Sequence, residues 1–247
     1  MLKDFPMPNL DPKDAELFTK LTSVAIDSLW SALDRLGYPD MFIEGVKPVH
    51  ANLERKMAGR AITLRYLPVR KDFVERIRAQ ELYGLNVRVA EEAQPGAVIV
   101  VESGGETGAG FWGDVIATRF IVRGGVGIVT DGAMRDLSQT RGMDIAIYVR
   151  ETHPAASWRR MVAVDMNLPI RCSNVTVLPG DLIVGDAEGV LVVPAQLAEQ
   201  VADQAIAAEE KEEYIRNKLL GGSTILGVYP PNEAITREFE EWKKKQP

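Results

Sequence analysis

The sequence predicts an α/β protein with a βαβαβ core, a small barrel-like β part after it, and a long C-terminal helix. Three observations carry this. Short β-branched runs alternate with helical stretches through the middle of the chain, at 97–101, 126–130 and 145–149. The first two runs each end in a glycine-bearing turn that opens a helix. After Arg150 the pattern changes to brief β runs between Pro-Gly and Asp/Gly turns, and then to an Ala-, Glu- and Gln-rich stretch over 195–220.

Residues 1–16 carry Pro6, Pro8 and Pro12 with little apolar pattern and read as an arm. From 12 to 36, apolar residues recur at spacings of three and four, so a helix is expected, stopped by Gly37. A strand follows at 58–67 and a second helix at 71–85, with Phe73, Val74, Ile77 and Leu82 on one side. The run 97–101 (AVIVV) suits a buried strand. A glycine loop, SGGETGAG (103–110), leads through Phe111-Trp112-Gly113 into a helix over 114–123, capped by Gly124-Gly125. The next strand, 126–130, runs into DGAMRD (131–136), read as a turn into a short helix, and 145–149 is the third strand. Helical crossovers between strands make the sheet parallel and put both β-to-α loops at one edge, where such sheets take ligands. Further on, 170–177, 181–185 and 189–193 are barrel or hairpin strands, Pro194 sits at the start of a helix, and Gly221-Gly222 ends it. The tail, 223–247, is an extension with an exposed Lys run.

Composition narrows the function. A net charge of -6 argues against a nucleic-acid surface; Arg65, Arg70 and Lys71 read as solvated loop charges. With Cys172 as the single cysteine, no intrachain disulfide forms. No apolar h-region opens the chain and no run approaches a membrane span, so a cytoplasmic protein is expected. His50 and His153 are the only histidines, so a metal site must lean on carboxylates and water, which favours a hard cation such as Mg²⁺ or Mn²⁺.

Two motifs carry chemistry. A helix start exposes unpaired N–H groups and partial positive charge, so the amides of Gly113, Asp114, Val115 and Ile116 are expected to hold an anion. The glycines at 104, 105, 108 and 110 do not give a dinucleotide fingerprint in register, and no GK[ST] follows. Arg135 offers a planar fork for a carboxylate or a developing oxyanion, Asp136 can hold a divalent ion directly or through water, and Asp114 adds a second carboxylate.

The stretch GDVIATRFIVRGGVGIVTDGAMRD (113–136) and the block PGDLIVGDAEGVLVVP (179–194) resemble the RraA-like family, and the likeness runs over 17–222. That family includes the class II 4-hydroxy-4-methyl-2-oxoglutarate/4-carboxy-4-hydroxy-2-oxoadipate aldolases, which also decarboxylate oxaloacetate, and non-catalytic members that bind proteins. The resemblance implies a swivelling β/β/α-type domain assembled as a homotrimer or homohexamer with sites between subunits. It implies that Gly113–Ile116 and Arg135 bind the 2-oxo acid end, that Asp136 binds the metal and that Asp114 positions a catalytic water. It also implies a glutamate from a neighbouring subunit's C-terminal helix, for which Glu212 is the candidate and Glu209 and Glu213 the alternatives. The segment 151–171 departs from the short aldolase connection, which leaves room for another sugar-acid or aromatic-catabolite substrate; its His153 reads as an exposed loop residue.

Overall fold

The computed structural model describes residues 12–79 and 84–245. Its elements, in chain order, are α1 (Pro12–Ser23), α2 (Ile26–Arg35), β1 (Lys47–Pro48), β2 (Met57–Pro68), α3 (Lys71–Ala79), α4 (Leu85–Glu92), β3 (Ala97–Glu102), α5 (Asp114–Val122), β4 (Gly127–Met134), α6 (Leu137–Thr140), β5 (Ala146–Thr152), β6 (Met161–Met166), β7 (Ile170–Cys172), β8 (Val175–Val177), β9 (Leu182–Gly185), β10 (Val190–Val193), α7 (Ala198–Leu220) and α8 (Glu233–Lys243).

The predicted core is present. β2, β3, β4 and β5 pair in parallel, and β9 and β10 extend the same sheet antiparallel from β2. Sheet order is β1-β5-β4-β3-β2-β9-β10, with β6 also on β2. The sheet curls nearly shut, because the segment entering β1 pairs with β10 (Phe42 with Leu191, and Ile43 N–H donating to Val190 O), while β1 itself pairs with β5. The barrel-like part is therefore continuous with the βαβαβ core rather than separate from it. Inside the curl lie Val98, Val100, Val129, Tyr148, Ile183 and Val192; α4 (Val89), α5 (Phe120) and Trp112 just before α5 cover one flank; α1, α2 and α7 cover the β9–β10 end.

Several boundaries differ from the sequence reading. The stretch 12–36 is two helices broken at Val24-Ala25, where the Ala25 N–H donates to the Glu209 carboxylate and so caps α2 from α7. Helix is described from Pro12 on, as the spacing predicts, and residues 1–11 lie outside the described ones. Of the helix expected over 71–85, α3 (Lys71–Ala79) is described; Leu82 is outside the described residues, and α4 starts at Leu85 after Gly84 in left-handed backbone. The 170–177 run is the two-stranded β7–β8 hairpin turning at Ser173-Asn174. Pro194 precedes a 3-10 turn, Ala195–Leu197, and α7 starts after it. The tail forms α8, which folds back on α7 through Ile215, Ile235 and Phe239 and the Tyr214–Phe239–Trp242 ring cluster. Among the described residues no helix is long and apolar enough to cross a membrane.

Candidate active site

The strand β4 runs on through Asp131-Gly132-Ala133-Met134, so the expected turn is strand, and only Arg135 and Asp136 leave the sheet. The reason is pairing on both flanks. Ala133 and Met134 pair with Glu151 and Thr152 of β5, while Phe111 N–H donates to Ala133 O and Arg135 N–H to Trp112 O. The glycine loop is thus zipped to the end of β4, and Arg135 and Asp136 arrive beside the start of α5.

Glycine is required here for close approach. A β-carbon on Gly113 would lie 2.0 Å from Asp136 Oδ2, and one on Gly110 would lie 2.5 Å from Arg135 Cγ. One on Gly108 would lie 2.8 Å from the Arg160 guanidinium carbon. Three charged side chains therefore rest on three glycines of one loop. Asp136 takes left-handed backbone (φ 56°), a conformation that Asp tolerates better than most residues. Its Oδ2 lies 3.4 Å from the Asp114 N–H, and its Oδ1 lies 3.7 Å from Arg135 Nη2. Both side chains are about a third exposed, and among the described residues Arg135 Nε is buried without a hydrogen-bond partner.

The four-amide cradle expected at the helix start is smaller than supposed. Val115 N–H donates to the Asp114 carboxylate at 2.9 Å, and the Asp114 N–H faces Asp136. An isolated helix start leaves these donors free; here local carboxylates take two of them. Among the described residues no three His, Cys, Asp or Glu side chains cluster as a metal cage. Asp136 and Asp114, joined through one backbone amide, fit a hard cation that completes its shell with water and ligand oxygens, as Mg²⁺ commonly does.

Glu212 is not brought to this edge within one chain. It faces Arg216 at 3.8 Å on α7, which packs on α1 and α2 over the other end of the sheet. Glu209 is spent capping α2, and Glu213 is exposed. His153, in contrast, is half-buried beside the site: its N–H donates to Met134 O, and its Nδ1 accepts from Ala155 N–H.

Two features escaped the sequence reading. Asp131 is 3% exposed and accepts from the N–H groups of Ser103 (2.6 Å), Gly105 (3.1 Å) and Ser173 (3.4 Å), tying the glycine loop and the β7–β8 hairpin to β4. Its signal was an acid inside a continuing apolar strand, where a charge must find partners. The second is the Glu106–Arg160 pair on Gly108. No local pattern joins residues so far apart in the chain.

Comparison with known proteins agrees with this architecture. The protein shares 27% identity with Protein DlpA of Legionella pneumophila, over 90% of this chain and 35% of that one. It shares 38% with a Halalkalibacterium halodurans protein provisionally named 4-hydroxy-4-methyl-2-oxoglutarate aldolase, over 49% of this chain and 58% of that one. The matches thus span about a third and somewhat over half of these relatives' lengths. Among solved structures, Streptomyces coelicolor RraAS2, described as an unusual member of the RNase ES inhibitor RraA protein family, superposes with a TM-score of 0.75 at 32% identity, covering 83% of this chain and 98% of that one. An uncharacterized Pseudomonas syringae protein shares the fold, with a TM-score of 0.78 at 24% identity over 94% of this chain and all of that one. Residues 24–192 match the model of the RraA-like family (Aldolase/RraA), and the chain belongs to that family.

Proposed function

We propose that the protein is a divalent-metal-dependent lyase: a class II pyruvate aldolase for 4-hydroxy-4-methyl-2-oxoglutarate or a related 4-hydroxy-2-oxo acid, which also decarboxylates oxaloacetate. The observation that carries this reading is the seating of Asp136 on Gly113, against the start of α5 and beside Arg135. Names given to relatives agree with it. Asp136 would hold Mg²⁺ or Mn²⁺, with Asp114 reaching it through water. When bound, the cation supplies Lewis-acid polarisation of the 2-oxo group.

The chain's own residues account for the rest. Arg135 binds the substrate carboxylate and sits where negative charge grows on the 2-oxo oxygen as the bond beyond C3 breaks. Its stem packs closely on Gly110, which helps to orient the fork. If the leaving fragment is a carbonyl compound, the reaction is retro-aldol cleavage; if it is CO₂, decarboxylation. In the aldol case a base must take the hydroxyl proton. Glu212 from a second copy of the chain is assigned that role, which makes the working unit a homotrimer or homohexamer with shared sites, acting in the cytoplasm on a small 2-oxo acid and not on nucleic acid. Asp114 holds the water that returns a proton to C3.

The test is pyruvate release from 4-hydroxy-4-methyl-2-oxoglutarate and from oxaloacetate, with Mg²⁺ and with chelator. Metal-dependent turnover that falls about a thousandfold in Asp136→Ala is expected. Turnover indifferent to both would remove the reading. Likeness to RraAS2 favours a second one, a non-catalytic protein-binding regulator; silence on both substrates together with capture of a ribonuclease complex would establish it.

A further inference from the structure

The segment between β5 and β7 crosses the end of β4. Thr152 pairs on one flank of Met134, whereas Ala156 pairs with Gly110, which lies on the other flank. The chain then turns through Ser157–Arg159 and delivers Arg160 onto the glycine loop, before β6 runs back along β2. This insert therefore brings a second guanidinium to the loop that already seats Arg135.

The Arg160 guanidinium is only partly used. Nη1 reaches both oxygens of Glu106, at 3.5 and 3.3 Å, and among the described residues neither Nε nor Nη2 has a hydrogen-bond partner. Glu106 in turn accepts from Gly108 N–H at 2.6 Å, so its carboxylate is pinned to the loop and holds one edge of the fork in place. The pair is half exposed, which makes it a weak tether rather than a closed bridge. Arginine binds a carboxylate through two parallel donors on one edge, and the edge carrying Nη2 and Nε is the one left open.

Arg135 and Arg160 rest on glycines two residues apart in one loop. Gly108 and Gly110 have Cα atoms at most about 7 Å apart, and the end carbons of an extended five-carbon chain are about 5 Å apart, on standard bond lengths. We propose that Arg160 is a specificity-determining residue, whose open guanidinium edge binds the distal carboxylate of a dicarboxylic 2-oxo acid held at its other end by Arg135. This rests on the assignment of Arg135 and Asp136 to the 2-oxo acid end. The insert thereby selects a doubly charged substrate over a singly charged one of the same length.

The test is equilibrium binding, by calorimetry in the presence of Mg²⁺, of 2-oxoglutarate and of 2-oxopentanoate, which has a methyl in place of the distal carboxylate. Wild type is expected to prefer 2-oxoglutarate. Arg160→Met lowers its affinity about 10- to 100-fold, the range for losing a charged hydrogen-bonded pair, while 2-oxopentanoate moves less than about threefold and reports that the variant is folded. Arg160→Lys restores part of the preference. Equal binding of the two acids by wild type, or an unchanged preference in Arg160→Met, overturns the role of Arg160 while leaving the 2-oxo acid site standing. Binding of neither acid, in wild type, overturns that site and the proposal with it.

Discussion

The loop between β3 and α5 and the helical hairpin of α7 and α8 both carry charged residues expected to act, yet they are held in opposite ways. In the loop, the contacts are backbone to backbone and glycine to charged side chain: Arg135 on Gly110, Asp136 on Gly113, and buried Asp131 beneath. Movement by one side chain is blocked by main chain. In the hairpin, α8 is held by the Tyr214–Phe239–Trp242 rings and by exposed pairs such as Lys218–Glu238 and Lys243–Glu210. Rings and surface ion pairs fix a helix against a helix but tolerate adjustment. The first region suits atoms that must stay within a fraction of an ångström of a reaction; the second suits helices that adjust against each other.

Gly113→Ala strikes the first region hardest. The added methyl would lie 2.0 Å from the Asp136 carboxylate, and the backbone there is extended (φ -119°), so the conflict is with Asp136 alone. Displacement of that carboxylate by about an ångström is expected to cost about a hundredfold in kcat/KM with little change in Tm. Full activity would mean that Asp136 has no fixed position to lose. Phe239→Ala strikes the second. Phe239 is 5% exposed in a small cluster, and truncation should loosen the hairpin by about 3 kcal/mol, seen as faster amide exchange in α8 ahead of the sheet. Uniform loss of protection would show that the hairpin and the barrel unfold together.

A pH scan separates the sheet from the hairpin in the same way. Burial of Asp181, at the turn before β9, pushes its carboxyl up to about 6 from 3.8. The folded protein then binds more protons than the unfolded chain between these values, so stability falls as pH rises from about 4 to 6 and levels off above. At about 1.4 kcal/mol per unit the effect is on the order of 2–3 kcal/mol, and Asp181→Asn should flatten it in denaturant melts. In the hairpin the sign reverses and the effect is smallest. Lys218 holds the exposed Glu238 carboxyl below its ordinary range, so its contribution is present above pH 4.5 and is lost as pH falls through the lowered value. Glu238→Gln should leave Tm at neutral pH unmoved; a clear drop would show that the surface pairs, and not the rings, fasten α8.

Much of this was legible in the chain. The 97–101 run is β-branched and bounded by turns, and it is β3; the glycines before Asp114 announce a strand-to-helix passage, and α5 starts at that residue. Periodicity reports burial, and burial in these segments is what the sheet requires. It could not report the break at Ala25, because the residue that caps α2 there, Glu209, lies on a helix far along the chain. Nor could it show that 131–134 stays in the sheet: DGAM has the composition of a turn, and only partners on both flanks make it strand.

The candidate site divides along the same line. Residue types and local spacing by themselves determined that an Arg-Asp pair would follow one parallel strand and a glycine-led helix start another, since both depend on neighbours in sequence. Tertiary structure alone decided that Asp136 faces the Asp114 amide, that Glu212 sits away from the site on its own chain, and that an insert brings Arg160 to Gly108. Those placements join or part groups that lie far apart in the sequence, so no local spacing reports them.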